Sequence, residues 1–201
     1  MKLNSREDII ALTPLWNGDR FEDGRPKVPQ KYLDEMRKMT LEELWKPIFL
    51  KGYITQFEGD LKTLHDDGRK LIGRAVTCSF VPTRPDLHDV MFGVGASEGR
   101  KGNYNQWVID NLMEYDVPVI DMYDKVYKGT FLGGNLTTAL KNKTKNENGG
   151  AVIWGGIRDT EQMKKVADTQ VYYRGIDPTP IREFVMKDWN DITNFGGAVC
   201  L

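Results

Sequence analysis

The sequence predicts an α/β domain with at least partly parallel strand pairing. Two observations carry this. From residue 73 to 175, runs rich in β-branched and aromatic residues alternate with runs of helical periodicity. Two glycine-rich turns, "GTFLGGNL" (Gly129 to Leu136) and "WGGIRD" (Trp154 to Asp159), each follow a strand-like run and precede a helix-like one. The spacing leaves strand order open.

Residues 1–30 hold Pro14, Gly18, Gly24, Pro26 and Pro29 and read as an arm with little regular structure, ahead of a domain spanning 31–201. A helix is expected from about Gln30 to Met39. "TLEE" (Thr40 to Glu43) has the form of a capping box and opens a second helix through "LWKPIF", which Pro47 should kink or end. "GRAVTCSFV" (Gly73 to Val81) reads as a strand, "TRPDLHD" as a loop, and "GVGASEG" (Gly93 to Gly99) as a surface loop. The last is a GxGxxxG string, but no convincing strand precedes it and no helix pattern opens inside it, as a dinucleotide fingerprint would require.

"NYNQWVIDNLMEY" (Asn103 to Tyr115) places Trp107, Val108, Leu112 and Tyr115 on one helical face. "VPVIDMY" (Val117 to Tyr123) and "GAVIWGG" read as buried strands, "GGNLTTALKNK" as a glycine turn opening a helix, "RDTEQMKKVAD" as a helix and "TQVYYRG" (Thr169 to Gly175) as a further strand. "FGGAVCL" reads as a hairpin turn with a strand ending at Leu201, which would leave a sheet edge to be covered.

Composition excludes several function classes. Lys and Arg total 28 against 29 for Asp and Glu, a net charge of −1, and the one basic cluster, Lys141 to Lys145, adjoins "NENGG" as a solvated loop. Nucleic-acid binding needs concentrated positive charge, so none is expected. Cys78 and Cys200 are far apart and lack metal-type spacing, which fits a reducing compartment. "MKLNSREDII" has no apolar signal core, and no apolar run approaches the ~20 residues of a membrane span. A cytoplasmic protein is expected, in which the glycosylation patterns at Asn135 and Asn142 carry no meaning.

Three places hold chemistry-bearing residues. His65 and His88 have acidic neighbours but no second histidine at ligand spacing, and surface or hydrogen-bonding roles are expected. The third place is the pair of glycine turns. In an α/β sheet such turns gather at the carboxyl ends of strands, where ligands bind. Glycine lets the backbone approach a ligand, and free N–H groups at a helix start receive anions. Arg158 offers a planar fork for a carboxylate or phosphate, and Asp159 an oxygen ligand for Mg²⁺ or Mn²⁺. From spacing alone the same residues suit an Arg–Asp pair capping the helix that starts there at least as well.

"GTFLGGNLTTALKNKT…GGAVIWGGIRD" resembles the RraA-like family, which includes the 4-hydroxy-4-methyl-2-oxoglutarate aldolases. "GRAVTCSFVPTRPDLHD", "YRGIDPTPIRE" and the arm "LTPLWNGDRFEDGRPKVP" are similar to segments of that family, the last two to its longer members. The resemblance implies a swivelling β/β/α fold assembled as homotrimers or homohexamers with sites at subunit interfaces. It implies a class II, metal-dependent aldolase or oxo-acid lyase that cleaves 4-hydroxy-2-oxo acids to pyruvate or decarboxylates oxaloacetate. Carried over by position, Arg158 binds the pyruvate carboxylate and Asp159 ligates Mg²⁺ or Mn²⁺. The turn Gly133, Gly134, Asn135 and Leu136 gives backbone N–H groups to the substrate.

The chain departs from the family pattern at named positions. Gly134 stands where many members have Asp, Trp154 where many have an acid before the paired glycines, and Gln162 where the aldolases have an acid. Glu161, one position early, is the candidate second metal ligand. Members also continue past "GGAVCL" with further strands. The other reading the resemblance offers is a non-catalytic regulator that inhibits a ribonuclease by protein contact.

Overall fold

The computed structural model describes residues 5–181, 184–186 and 198–200, with side chains as far as residue 181. The arm carries a helix that the sequence reading did not expect, α1 (Arg6–Leu12). Its prolines and glycines all lie beyond Leu12, and the helix itself starts on a good cap. The Ser5 side chain accepts the Asp8 N–H, with Glu7 and Asp8 in the first turn. Next come α2 (Gln30–Met36) and α3 (Leu41–Leu50). The capping box forms as read: Thr40 accepts the Glu43 N–H, and the Glu43 carboxylate accepts the Thr40 N–H at 2.8 Å. Pro47 does not end α3, because on an exposed helix the one carbonyl it leaves without a donor faces water.

β1 (Lys62–Thr63) and β2 (Ile72–Pro82) precede the main correction, α4 (Pro85–Ser97). "TRPDLHD" and "GVGASEG", both read as loops, largely form this helix. Pro85 sits in its first turn, where a missing N–H costs nothing. Gly95 is buried against the Trp107 ring, whose Cη2 would lie 2.5 Å from any Cβ added there. That glycine serves close packing rather than flexibility.

The helix read as Asn103 to Tyr115 is the shorter α5 (Tyr104–Asp110), because Tyr115 takes a left-handed φ of 64° as the chain turns into β3 (Asp116–Asp121). Trp107, Val108 and Leu112 are buried as expected. β4 (Thr130–Leu132), α6 (Gly134–Thr144), β5 (Gly149–Ile157), α7 (Thr160–Met163) and β6 (Thr169–Ile176) follow. α7 is shorter than the expected Arg158–Asp168. Asp159 enters it left-handed, and beyond Lys164 the bonds tighten to three-residue spacing, Lys165 N–H to Gln162 O and Val166 N–H to Met163 O. The last elements are β7 (Phe184–Met186) and β8 (Ala198–Cys200). The hairpin turn read in "FGGAVCL" lies outside the described residues; its strand is β8.

The strands form one mixed sheet in the order β1-β6-β5-β3-β2-β7, with β4 also on β5 and β8 also on β2. The central strands β2, β3, β5 and β6 are parallel, as the alternation predicted, and β1, β7 and β8 add antiparallel edges. One face packs on the helices through Phe80, Ile120, Phe131, Ile153 and Ile157 with Trp107, Val108 and Leu140. The other face gathers a smaller cluster, Leu71, Val117 and Val152, flanked by Val119, Trp154 and Tyr172. Among the described residues no helix is long and apolar enough to cross a membrane.

The arm is tied to the sheet by buried charge. Asp116, fully buried at the start of β3, accepts Arg25 Nη1 at 2.8 Å, Arg74 Nε at 3.1 Å and the Met113 N–H at 2.8 Å. Arg25 also pairs with Asp23, and the Phe21 ring lies 4.8 Å from the Arg74 guanidinium. Two arginines against two aspartates leave the cluster neutral, which a buried site requires.

Candidate functional site

The turns between β4 and α6 and between β5 and α7 lie side by side, because β4 and β5 are parallel neighbours with Leu132 opposite Ile157. The Arg158 N–H donates to the Leu132 carbonyl at 2.9 Å and locks the two turns together. The topology thus brings Gly133 to Leu136 against Arg158 and Asp159, which are distant in sequence.

Gly133 is the N-cap of α6 and has no side chain to cap it. Asp159 supplies that function from the other turn: its Oδ2 accepts the Gly134 N–H at 3.3 Å. The same oxygen stands 3.1 Å from Arg158 Nη1. A Cβ on Gly133 would lie 2.6 Å from Asp159 Oδ2 and 3.1 Å from Arg158 Cγ, so glycine is needed for this approach. The N–H groups of Asn135 and Leu136 lie in the first turn of α6, which no intrahelical bond can satisfy.

Of the two readings of the Arg–Asp pair, the structure keeps part of each. Asp159 does stand at the N-cap of α7, with φ 56° and ψ 37°, a left-handed conformation Asp tolerates better than most residues. Its side chain, however, makes no capping bond to α7. The carboxylate is turned to α6 and to Arg158 instead.

Arg158, Gly133, Asn135 and Leu136 line a cavity of about 310 Å³ closed by Asn105, Gln106, Phe131, Pro180 and Ile181. Asp159 is joined to it through Arg158 and Gly134. Asn105 is fixed there by donating its amide to the Phe131 carbonyl at 2.8 Å. Sequence reasoning missed this second wall. Asn105 and Gln106 carry no pattern that marks a site, and only the pairing of Pro180 with Thr130 brings residues 180 and 181 over the pocket.

Glu161 is not brought to Asp159. Its side chain is exposed and bonded to Lys164 at 3.0 Å. Among the described residues no group of three His, Cys, Asp or Glu side chains is placed to hold a metal ion. One carboxylate at a solvent-open pocket suits a hard cation such as Mg²⁺ or Mn²⁺, which keeps several waters and takes further oxygens from a substrate. It does not suit a closed zinc cage.

Neither histidine lines the Arg158 pocket. His88 Nδ1 lies 3.1 Å from the Tyr104 hydroxyl within an aromatic cluster with Phe92. His65 is held below its ordinary pKa by burial and then by the nearby Arg69 charge. A larger cavity, about 510 Å³, lies on the other sheet face under α3. It is lined by apolar groups such as Trp45, Ile48, Val152 and Trp154, and its one carboxylate, Glu58, is engaged by Trp154 Nε1 and Arg174. The smaller pocket is the candidate site, because Arg158 and the open N–H donors of Asn135 and Leu136 line it and the Asp159 carboxylate stands beside Arg158 at its edge.

Residues 48–200 match the RraA-like family model, described as Aldolase/RraA. The chain belongs to the RraA-like family. Solved structures agree on the fold. RraAS2 of Streptomyces coelicolor, described as an unusual member of the RNase ES inhibitor RraA protein family, superposes with a TM-score of 0.66 at 20% identity, over 88% of this chain and 81% of its own. A protein described under novel cellulases from microbes associated with the gut ecosystem gives 0.61 at 21% identity, over 94% and 74%. An uncharacterized protein from Pseudomonas syringae gives 0.57 at 19%, over 80% and 64%. No curated protein matches significantly. At these identities the likeness is one of fold.

The RraA-like departures now have positions. A Cβ on Gly134 would lie 2.4 Å from Gln162 Oε1, so the Gln162 amide occupies the space that a side chain at 134 would need. The two neutral residues are therefore complementary. Trp154 belongs to the other sheet face and lines the apolar cavity, away from the Arg158 pocket.

Proposed function

We propose that this RraA-like chain is a divalent-metal-dependent lyase acting on a small 2-oxo acid through a pyruvate enolate. What supports it is that Arg158 and the first-turn residues Asn135 and Leu136 line one pocket, with the Asp159 carboxylate held at its edge by Arg158 and the Gly134 N–H. Arg158 receives the substrate carboxylate in its planar fork. The N–H groups at the start of α6 donate to the oxygen on which negative charge grows. Asp159 is the residue that would hold Mg²⁺ or Mn²⁺, an ion that when bound stabilises that developing charge. Glu161, bonded to Lys164, takes no part.

Decarboxylation of oxaloacetate and aldol cleavage place different demands on this pocket. Cleaving a 4-hydroxy-2-oxo acid requires a base for the hydroxyl proton, and loss of CO₂ does not. Among the described lining residues there is no carboxylate, histidine or lysine to serve as that base. The cation that Asp159 would hold can supply it instead, by lowering the pKa of a water that it carries.

The test is pyruvate release from oxaloacetate and from 4-hydroxy-4-methyl-2-oxoglutarate, each against an enzyme-free control containing the same Mg²⁺. Turnover of oxaloacetate is expected, abolished by EDTA and restored by Mg²⁺ or Mn²⁺. A full rate in EDTA, or an Asp159→Ala variant as fast as the parent, would sink the proposal. A second reading, a non-catalytic protein-binding regulator such as a ribonuclease inhibitor, is supported by the neutral residues at Gly134 and Gln162. It predicts no turnover of either substrate, together with inhibition of a ribonuclease that survives Asp159→Ala.

A further inference from the structure

In the Arg158 pocket the two charged groups meant for ligands are engaged with each other. Arg158 Nη1 and Asp159 Oδ2 stand 3.1 Å apart, with side chains 37% and 33% exposed. The contact is built rather than incidental. Gly133 has no Cβ to block it, and the same Oδ2 is anchored on the Gly134 N–H at 3.3 Å.

We propose that Arg158 and Asp159 mask one another, so that an anion and a divalent cation bind this pocket cooperatively. The inference rests on the reading above of Arg158 as the anion receptor and Asp159 as the cation ligand. An anion arriving alone must share the guanidinium with the Asp159 carboxylate and meets its negative charge. A cation arriving alone must share the carboxylate with the guanidinium and meets its positive charge. Whichever arrives first offsets that charge for the second. Linkage makes the gain equal in both directions. A pair about one-third exposed is screened by water, which bounds the gain at about two- to fivefold. An oxo acid would therefore bind weakly to the metal-free protein even with its receptor arginine in place.

Asp159→Asn tests this. Asparagine keeps an oxygen for the Gly134 N–H, so the turn is retained, but it releases the guanidinium. In EDTA, NMR titration with pyruvate, and separately with inorganic sulfate, should give affinities about two- to fivefold tighter for this variant than for the parent. Glu161→Gln removes a carboxylate two positions along that is bonded to Lys164, and should leave both affinities unchanged. In the reverse direction, Arg158→Gln should tighten Mn²⁺, followed by paramagnetic line broadening, by a similar factor. The proposal is overturned if Asp159→Asn binds no tighter than the parent, if Glu161→Gln matches it, or if no form binds either probe. Absent turnover with the coupling intact would overturn the lyase reading alone. Metal-dependent turnover without the coupling would overturn the masking alone.

Discussion

Gly133→Ala isolates the geometry of the site from the stability of the fold. The backbone at 133 is extended, φ −142° and ψ −175°, so alanine fits without strain. The added Cβ, however, would lie 2.6 Å from Asp159 Oδ2. To reach an ordinary contact of 3.4 Å the carboxylate must retreat by about 0.8 Å, and it is free to do so because it is partly exposed. The retreat breaks its bond to the Gly134 N–H and its pairing with Arg158. The stability cost should stay at about 1 kcal/mol, the loss of one long, partly exposed bond and one water-screened pair. Catalytic groups tolerate such a shift poorly, since a misplacement of about 1 Å costs about 100-fold. On the proposed lyase reading, pyruvate release should therefore fall about 30- to 100-fold in kcat/KM, with Tm nearly unchanged. Activity within a factor of about three of the parent, in a variant of unchanged Tm, would refute the argument that Gly133 sets the position of Asp159.

Two further outcomes are expected from other parts of the molecule. Arg25→Met removes one of the two guanidinium partners of the buried Asp116 while Arg74 and the Met113 N–H remain, so urea unfolding should show a loss of about 2–3 kcal/mol, at or below the range for breaking a buried pair; a loss under about 0.5 kcal/mol would mean that the cluster does not hold the arm. His65 has a pKa lowered below 6.5, chiefly by burial, so the unfolded chain takes up its proton first as the pH falls. Stability should be full above pH 6.5 and decline below it, and His65→Gln should flatten that decline in denaturation curves between pH 7 and 5; an unchanged slope would rule His65 out as its source.

The central sheet was legible because its strands announce themselves. "GRAVTCSFV", "VPVIDMY", "GAVIWGG" and "TQVYYRG" are short β-rich runs at α/β spacing, and each became one of the four parallel strands. The loop reading of Pro85–Ser97 failed for a physical reason. Gly93 and Gly95 lower helix propensity, but the Trp107 ring demands a residue without Cβ at 95, and tertiary packing won. The strands β1, β4 and β7 are too short to show a period. At the site, Arg158, Asp159 and the α6 turn were readable because glycines, a cation and a carboxylate cluster in two short stretches. Asn105, Gln106 and Ile181 were not, since ordinary residues become a pocket wall only when the topology carries them there. The same holds for Gln162, whose side chain fills the space above Gly134.

The buried Arg25–Asp116–Arg74 cluster has a consequence in time as well as in space. Arg25 and Asp116 are 91 residues apart, whereas Arg74 and Asp116 face each other across the β2–β3 pairing. Closing the longer loop costs more chain entropy, and it is rewarded only once both strands are in register to present the carboxylate. The expected order of assembly is therefore sheet first and arm last, with the segment around Arg25 among the last to find its seat.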